Sequence, residues 1–117
     1  MISIGTDIVH MLRIEKILST KGDIFLKKIY TIREINYCSS KIKPYIHLSG
    51  KYAAKEAVKK ALLSKNIVDA ISLKKIEILN NSNKSPYVKV DSIKDINFQI
   101  SVSHDNEYAV AFALLEK

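Results

Sequence analysis

The chain opens on alternation. Over Ile2–Val9, the residues Ile2, Ile4, Thr6 and Ile8 fall on one side of an extended backbone and Ser3, Gly5, Asp7 and Val9 on the other, which is the period of a strand. The spacing then becomes helical: Met11, Leu12, Ile14, Ile17 and Leu18 form one stripe, with Arg13, Glu15 and Lys16 outside it. Gly22 is expected to end that helix, and Asp23 to cap a second short one through Phe25, Leu26 and Ile29. Thr31-Ile32-Arg33-Glu34 matches a capping box, in which the threonine hydroxyl and the glutamate carboxylate each satisfy a free backbone amide, and opens a third short helix towards Cys38.

The polar stretch Ser39–Lys43 runs into Pro44, which suits the first turn of a helix. The longest helix follows, over Pro44–Ser64. Ala53, Ala57 and Ala61 recur every four residues and permit close approach of a neighbour, while Tyr52, Val58 and Leu62 supply bulk. Further on, Leu73–Leu79, Tyr87–Val90, Phe98–His104 and Tyr108–Leu115 read as strands, the last two joined by a hairpin-like turn at Asp105-Asn106-Glu107. Helices early and strands late predict one α+β domain over residues 1–117: a mainly antiparallel sheet packed against one long helix and several short ones.

Composition changes this picture little, but charge adds a partner. The 117 residues carry a net charge of +7, nearly all from lysine, since Arg13 and Arg33 are the only arginines. Nucleic-acid readers lean on arginine, so the excess points to an acidic partner without choosing between nucleic acid, a membrane surface and an acidic protein. Cys38 is the one cysteine, so no intramolecular disulfide forms and a reducing compartment is suited. No apolar run reaches the ~18–20 residues of a membrane span. The start, Met1–Gly5, reads as a strand rather than a signal peptide. A cytoplasmic location is therefore expected.

Three places look chemical. Asp7 puts a carboxylate in an otherwise apolar strand, where it either faces water on an edge or needs a cation, a metal or donors. Glu56 and Lys60 lie one turn apart on the long helix and read by themselves as an exposed ion pair. His104 ends a strand whose inward face is Phe98, Ile100 and Val102, and parity sets it on that face. Ser103 and His104 point to opposite sides, which disfavours a serine hydrolase. The chain has no glycine-rich phosphate loop and no zinc-type spacing among His10, His47 and His104.

Taken in order, Ile4-Gly5-Thr6-Asp7-Ile8-Val9, then Gly50-Lys51-Tyr52-Ala53-Ala54-Lys55-Glu56-Ala57, then Ser101-Val102-Ser103-His104 resemble the holo-[acyl-carrier-protein] synthase family of small 4'-phosphopantetheinyl transferases. The resemblance extends over essentially the whole chain. It implies transfer of the phosphopantetheine arm of coenzyme A to a serine of apo-acyl carrier protein, in fatty acid biosynthesis, with release of adenosine 3',5'-bisphosphate. It implies Asp7 and Glu56 as Mg2+ ligands, consistent with a hard cation that needs few protein carboxylates beside substrate phosphates. Lys60 resembles the lysine on the coenzyme phosphates and counts with Asp7 and Glu56 as catalytic. Lys51, Lys55, Pro86 and His104 are implied at the coenzyme site, and Arg13 at the acidic carrier protein, with Lys16, Lys27 and Lys28 extending its patch. A homotrimer with active sites between protomers is also implied.

The general base stays open between a metal-bound water, a nearby carboxylate and another group; Glu34 is better explained by its capping box. The chain departs from the family pattern in places. Lys51 stands where arginine is common, His10 where many relatives carry an acid, and the loop Asn81–Pro86 lacks the usual Gly-Lys-Pro. The competing reading is a small basic module that binds an acidic protein or nucleic acid without catalysis.

Overall fold

A computed structural model describes all residues from Met1 to Lys117. In chain order it runs β1 (Ile2–His10), α1 (Met11–Ile29), α2 (Ile32–Ser39), α3 (Pro44–Ser64), a 3-10 turn (Leu73–Lys75), β2 (Glu77–Asn80), β3 (Pro86–Lys89), β4 (Asn97–His104) and β5 (Tyr108–Glu116). Strands β1, β5 and β4 form an antiparallel sheet in that order, and β2 with β3 a separate antiparallel pair. The class is α+β, with α3 lying across the inner face of the three-stranded sheet.

The alanine stripe explains how close that packing is. Ala53, Ala57 and Ala61 are fully buried, and Gly5 faces them from β1. A Cβ at position 5 would overlap the Ala57 carbonyl oxygen and lie 3.0 Å from the Ala61 amide nitrogen, so only glycine fits there. One turn away, the Ser3 hydroxyl donates to the Ala61 carbonyl at 2.6 Å. The helix therefore rests on the small and polar side of β1. The isoleucine side, Ile2, Ile4 and Ile8, points outward and remains more than half exposed.

Two expectations about local structure are adjusted. The helix break expected at Gly22 falls one residue earlier, at Lys21 (φ −138°, ψ 38°), where two helical stretches meet; α1 denotes both, through Ile29. Just before it, the Ser19 and Thr20 hydroxyls both bond the Lys16 carbonyl, a competition with the helical ladder that bends helices. Likewise, Leu73–Leu79 is not one strand. Leu73–Lys75 is a 3-10 turn and the strand begins at Glu77, because the Lys55 ammonium gathers the Leu73 and Ile76 carbonyls at 3.0 and 2.8 Å.

Other local signals are met. α3 spans Pro44–Ser64 with Pro44 in its first turn. Both capping-box bonds are present: Thr31 N–H to Glu34 at 2.7 Å and Glu34 N–H to the Thr31 hydroxyl at 3.3 Å. Asp105 makes the hairpin turn, its carboxylate accepting from the Glu107 and Tyr108 amides.

Candidate active site

α3 carries the candidate chemistry on two stripes set by its period. His47, Lys51 and Lys55 recur every four residues on one; Tyr52, Glu56 and Lys60 recur on the next.

The first stripe faces the β2–β3 hairpin. There a cavity of about 270 Å³ is lined by Tyr37, His47, Lys51, Lys84, Pro86 and His104, among others. Lys51 is nearly buried. Its ammonium donates to the Ile78 carbonyl and Asn80 Oδ1, both at 2.7 Å, and lies 4.7 Å from the centre of the Tyr37 ring. With two donors committed, one N–H remains for a ligand. Burial draws the Lys51 pKa below the ordinary lysine value, while Cys38, Glu34 and Glu77 push it the other way. The His47 imidazole is likewise drawn down, first by burial and then by the positive charge of Lys41, His104 and Lys51. Such a concentration of cations around a concave surface is a ready anion site.

On the second stripe, Tyr52 stacks on Phe25 of α1 with ring centroids 6.2 Å apart, and Lys60 turns to β1. Lys60 Nζ reaches Asp7 Oδ1 at 3.1 Å and the Thr6 carbonyl at 3.0 Å, so the anticipated Glu56–Lys60 pair does not form. The Asp7 carboxylate is only 14% exposed, so water screens its attraction for the ammonium weakly. Glu56 is half-buried and takes part in none of the ion pairs. Burial raises the Tyr52 pKa most, with Glu56 and then Asp7 raising it and Arg13 lowering it. Asp7 and Glu56 offer oxygen donors only, and no cluster of three His, Cys, Asp or Glu residues gathers in the chain. That donor set suits a hard cation that keeps water and takes further oxygens from a phosphate, not a closed cysteine–histidine cage.

Lys51, Pro86 and His104 thus meet in one cavity, while Asp7 and Lys60 form a second group on the β1 side. Within one chain the two groups do not share a pocket. His104 stands between them, since it also borders an outer hollow with Ile8, Tyr108 and Val110.

Lys55 is a correction. Its side chain is completely buried, and its three donors go to Glu34 Oε1 (2.8 Å), the Leu73 carbonyl and the Ile76 carbonyl. Nothing is left to offer a coenzyme. Glu34 is equally committed, accepting from the Thr31 amide, Lys55 and the Ile78 amide, which removes it as a general base. His47 and Tyr37 are cavity residues that the sequence reading passed over. For His47 the available signal was its place one turn before Lys51.

Comparison with known proteins identifies the family. A family model described as the 4'-phosphopantetheinyl transferase superfamily matches residues 3–113. The holo-[acyl-carrier-protein] synthase of Thermodesulfovibrio yellowstonii is 44% identical over 96% of this chain and 96% of its own. That of Chlamydia trachomatis serovar D is 42% identical over 99% and 100%. Among solved structures, the Helicobacter pylori holo-[acyl-carrier-protein] synthase in complex with coenzyme A superposes with a TM-score of 0.84, at 30% identity, over 97% of this chain and 99% of that one. The fold and the family model make the chain a phosphopantetheinyl transferase, an enzyme class. Within that class the chain belongs to the holo-[acyl-carrier-protein] synthase family.

Proposed function

We propose that this enzyme transfers the 4'-phosphopantetheine group of coenzyme A to a serine of an acidic apo-acyl carrier protein, with Mg2+ held by Asp7 and Glu56, in the cytoplasm and in service of fatty acid biosynthesis. The observation that carries the reading is the cavity that brings Lys51 and Lys84 together with His47 and His104.

In this reading the cavity binds the nucleotide end of coenzyme A. Lys51 offers its remaining N–H to a phosphate, His104 stands towards the pyrophosphate, and Pro86 stiffens the wall. Lys60, half-exposed and already oriented by Asp7 and the Thr6 carbonyl, acts as a point charge on the pyrophosphate. Mg2+, when bound, supplies charge neutralisation on the phosphates. The serine oxygen forms a bond to the phosphorus of the phosphopantetheine arm as the phosphoanhydride bond breaks, and adenosine 3',5'-bisphosphate leaves with that electron pair. The serine proton passes to a base other than Glu34, whose oxygens are all engaged.

The carrier docks, in this reading, on α1. Arg13, Lys16, Lys27 and Lys28 are exposed there, with Leu12 and Ile24 as apolar contacts among them, a pattern that fits an acidic amphipathic helix. The protein assembles as a homotrimer through the outer face of the three-stranded sheet. This is supported by the exposed Ile2, Ile4, Ile8, Val110 and Phe112 on that face and by the separation of the two site halves within one chain.

Incubation with coenzyme A, Mg2+ and apo-carrier is expected to add one phosphopantetheine mass to the carrier. Folded protein that leaves the carrier mass unchanged would sink the proposal. Asp7→Ala and Glu56→Ala are each expected to lower the rate by at least ~100-fold, the scale of a lost charge-stabilising contact. Full activity in either variant would remove that carboxylate from the mechanism.

A further inference from the structure

The mechanism leaves unused the most deeply buried charges in the molecule, the Lys55–Glu34 pair, at 0% exposure on both sides. A buried ion pair contributes little net stability over apolar residues of the same size, because both charges lose their hydration. Its connections are more informative than its charge. Lys55 donates to the Leu73 and Ile76 carbonyls, and Lys51, one turn earlier, to the Ile78 carbonyl and Asn80 Oδ1. Glu34, fixed in its capping box, accepts the Ile78 amide at 2.8 Å from the other side. Two lysines of one helix stripe thus hold successive carbonyls of the segment that leads into and forms β2.

Besides these lysines, the segment is held at Glu77, which accepts from the Thr31 hydroxyl at 2.6 Å and pairs with Arg33 of α2, and by the buried side chains of Ile76 and Ile78. β2 and β3 form a two-stranded sheet of their own, not hydrogen-bonded to β1, β5 or β4, and such a pair is marginal without support. Yet Ile78, Asn80, Lys84 and Pro86 of this hairpin make one wall of the anion cavity. The loop between its strands is held by its own side chains, with Lys84 at φ 72° and Asn83 accepting from Ser85. The hairpin is therefore shaped from within and positioned from α2 and α3 together.

We propose that Lys55 is a positioning residue for coenzyme binding: with Glu34 it clamps the β2–β3 hairpin against α3 and so sets the wall of the cavity. The coenzyme part of this inference rests on the function proposed above; the clamp itself does not. An ammonium is suited to the task because it alone supplies three donors from one buried atom.

The test compares Lys55→Met with the double variant Glu34→Gln/Lys55→Met, reading hydrogen exchange over residues 77–89, thermal stability, and coenzyme A affinity by calorimetry. In both variants exchange in the hairpin is expected to rise at least ~10-fold while β1 and β5 are unchanged, as for a locally opened unit. Coenzyme A affinity is expected to fall ~10-fold in parallel, with the KM for carrier protein within ~2-fold of the parent. The double variant should regain thermal stability, since no unpaired carboxylate is left buried, but should not regain the hairpin or the affinity.

A merely structural ion pair would behave differently, with the double variant recovering stability and affinity together; that result would overturn the proposal. So would unchanged exchange in the hairpin, or a double variant that fails to fold. If the parent protein does not bind coenzyme A, the function proposed above fails, while the exchange measurement still decides the clamp.

Discussion

His47 shows how much a single side chain is governed by its surroundings. Its imidazole sits in the cavity wall, edge-on to Tyr37 with ring centroids 6.3 Å apart, and its pKa lies below the ordinary 6.5 because burial and neighbouring cations disfavour the imidazolium. The folded protein consequently binds fewer protons at this position than the unfolded chain. The associated stability is complete above pH 6.5 and is lost as pH falls through the lowered folded pKa. A polyanion in the cavity reverses the cause. Titration followed by NMR should give a His47 midpoint below 6.5 in the free protein and a higher one with coenzyme A bound. A midpoint that coenzyme A leaves in place would exclude His47 from the phosphate site. Lys51 illustrates the same principle differently. It stands where the resembled family favours arginine, and it spends its donors on the hairpin instead of a bidentate phosphate grip.

At the scale of elements, the contact between β1 and α3 decides whether Asp7 and Lys60 meet. Gly5 lets the strand lie directly on the Ala57 carbonyl, and Lys60, one turn further along the helix, then reaches Asp7 on the strand. Gly5→Ala forces these backbones apart, so we expect a loss of ~1–3 kcal/mol, the usual cost of overpacking a tight core. Urea unfolding checks this, and an unshifted midpoint would show that the contact yields freely. This contact was half legible in the sequence: the alanine stripe announced a close neighbour, and Gly5 announced cleared space, but nothing in either pattern matched the two. The β2 region was legible in type and wrong in extent. Leu73–Leu79 has strand-like residues, and only the Lys55 ammonium, arriving from a different element, curls its first half into a turn.

At the scale of the whole molecule, the outer face of the sheet dominates. Ile8 pairs with Val110 and Thr6 with Phe112 across β1 and β5, and Ile8, Val110 and Phe112 remain 40–61% exposed. Contiguous apolar surface of this kind marks an association site. Phe112→Lys should shift the protein from trimer to monomer in light scattering and reduce carrier modification in step, since the site halves would no longer be joined. A lysine variant that stays trimeric, or a fully active monomer, would contradict the proposed assembly. The lysines and arginine exposed on α1 and the two lysines of the cavity would, under the proposed function, take two roles at this scale: long-range attraction for an acidic carrier and local grip on phosphates.

By itself, the sequence determined what depends on near neighbours along the chain. The period of each element, the capping box at Thr31 and Glu34, the proline at the start of α3 and the order of the motif blocks are all set within a few residues, where backbone geometry and side-chain reach suffice. Tertiary structure alone decided which partner each charge takes. Lys60 could face Glu56 one turn away or Asp7 across the core, and Lys55 could face solvent or Glu34. Those choices depend on which distant elements come within hydrogen-bond distance and how much water they exclude. Periodicity along the chain does not encode either quantity.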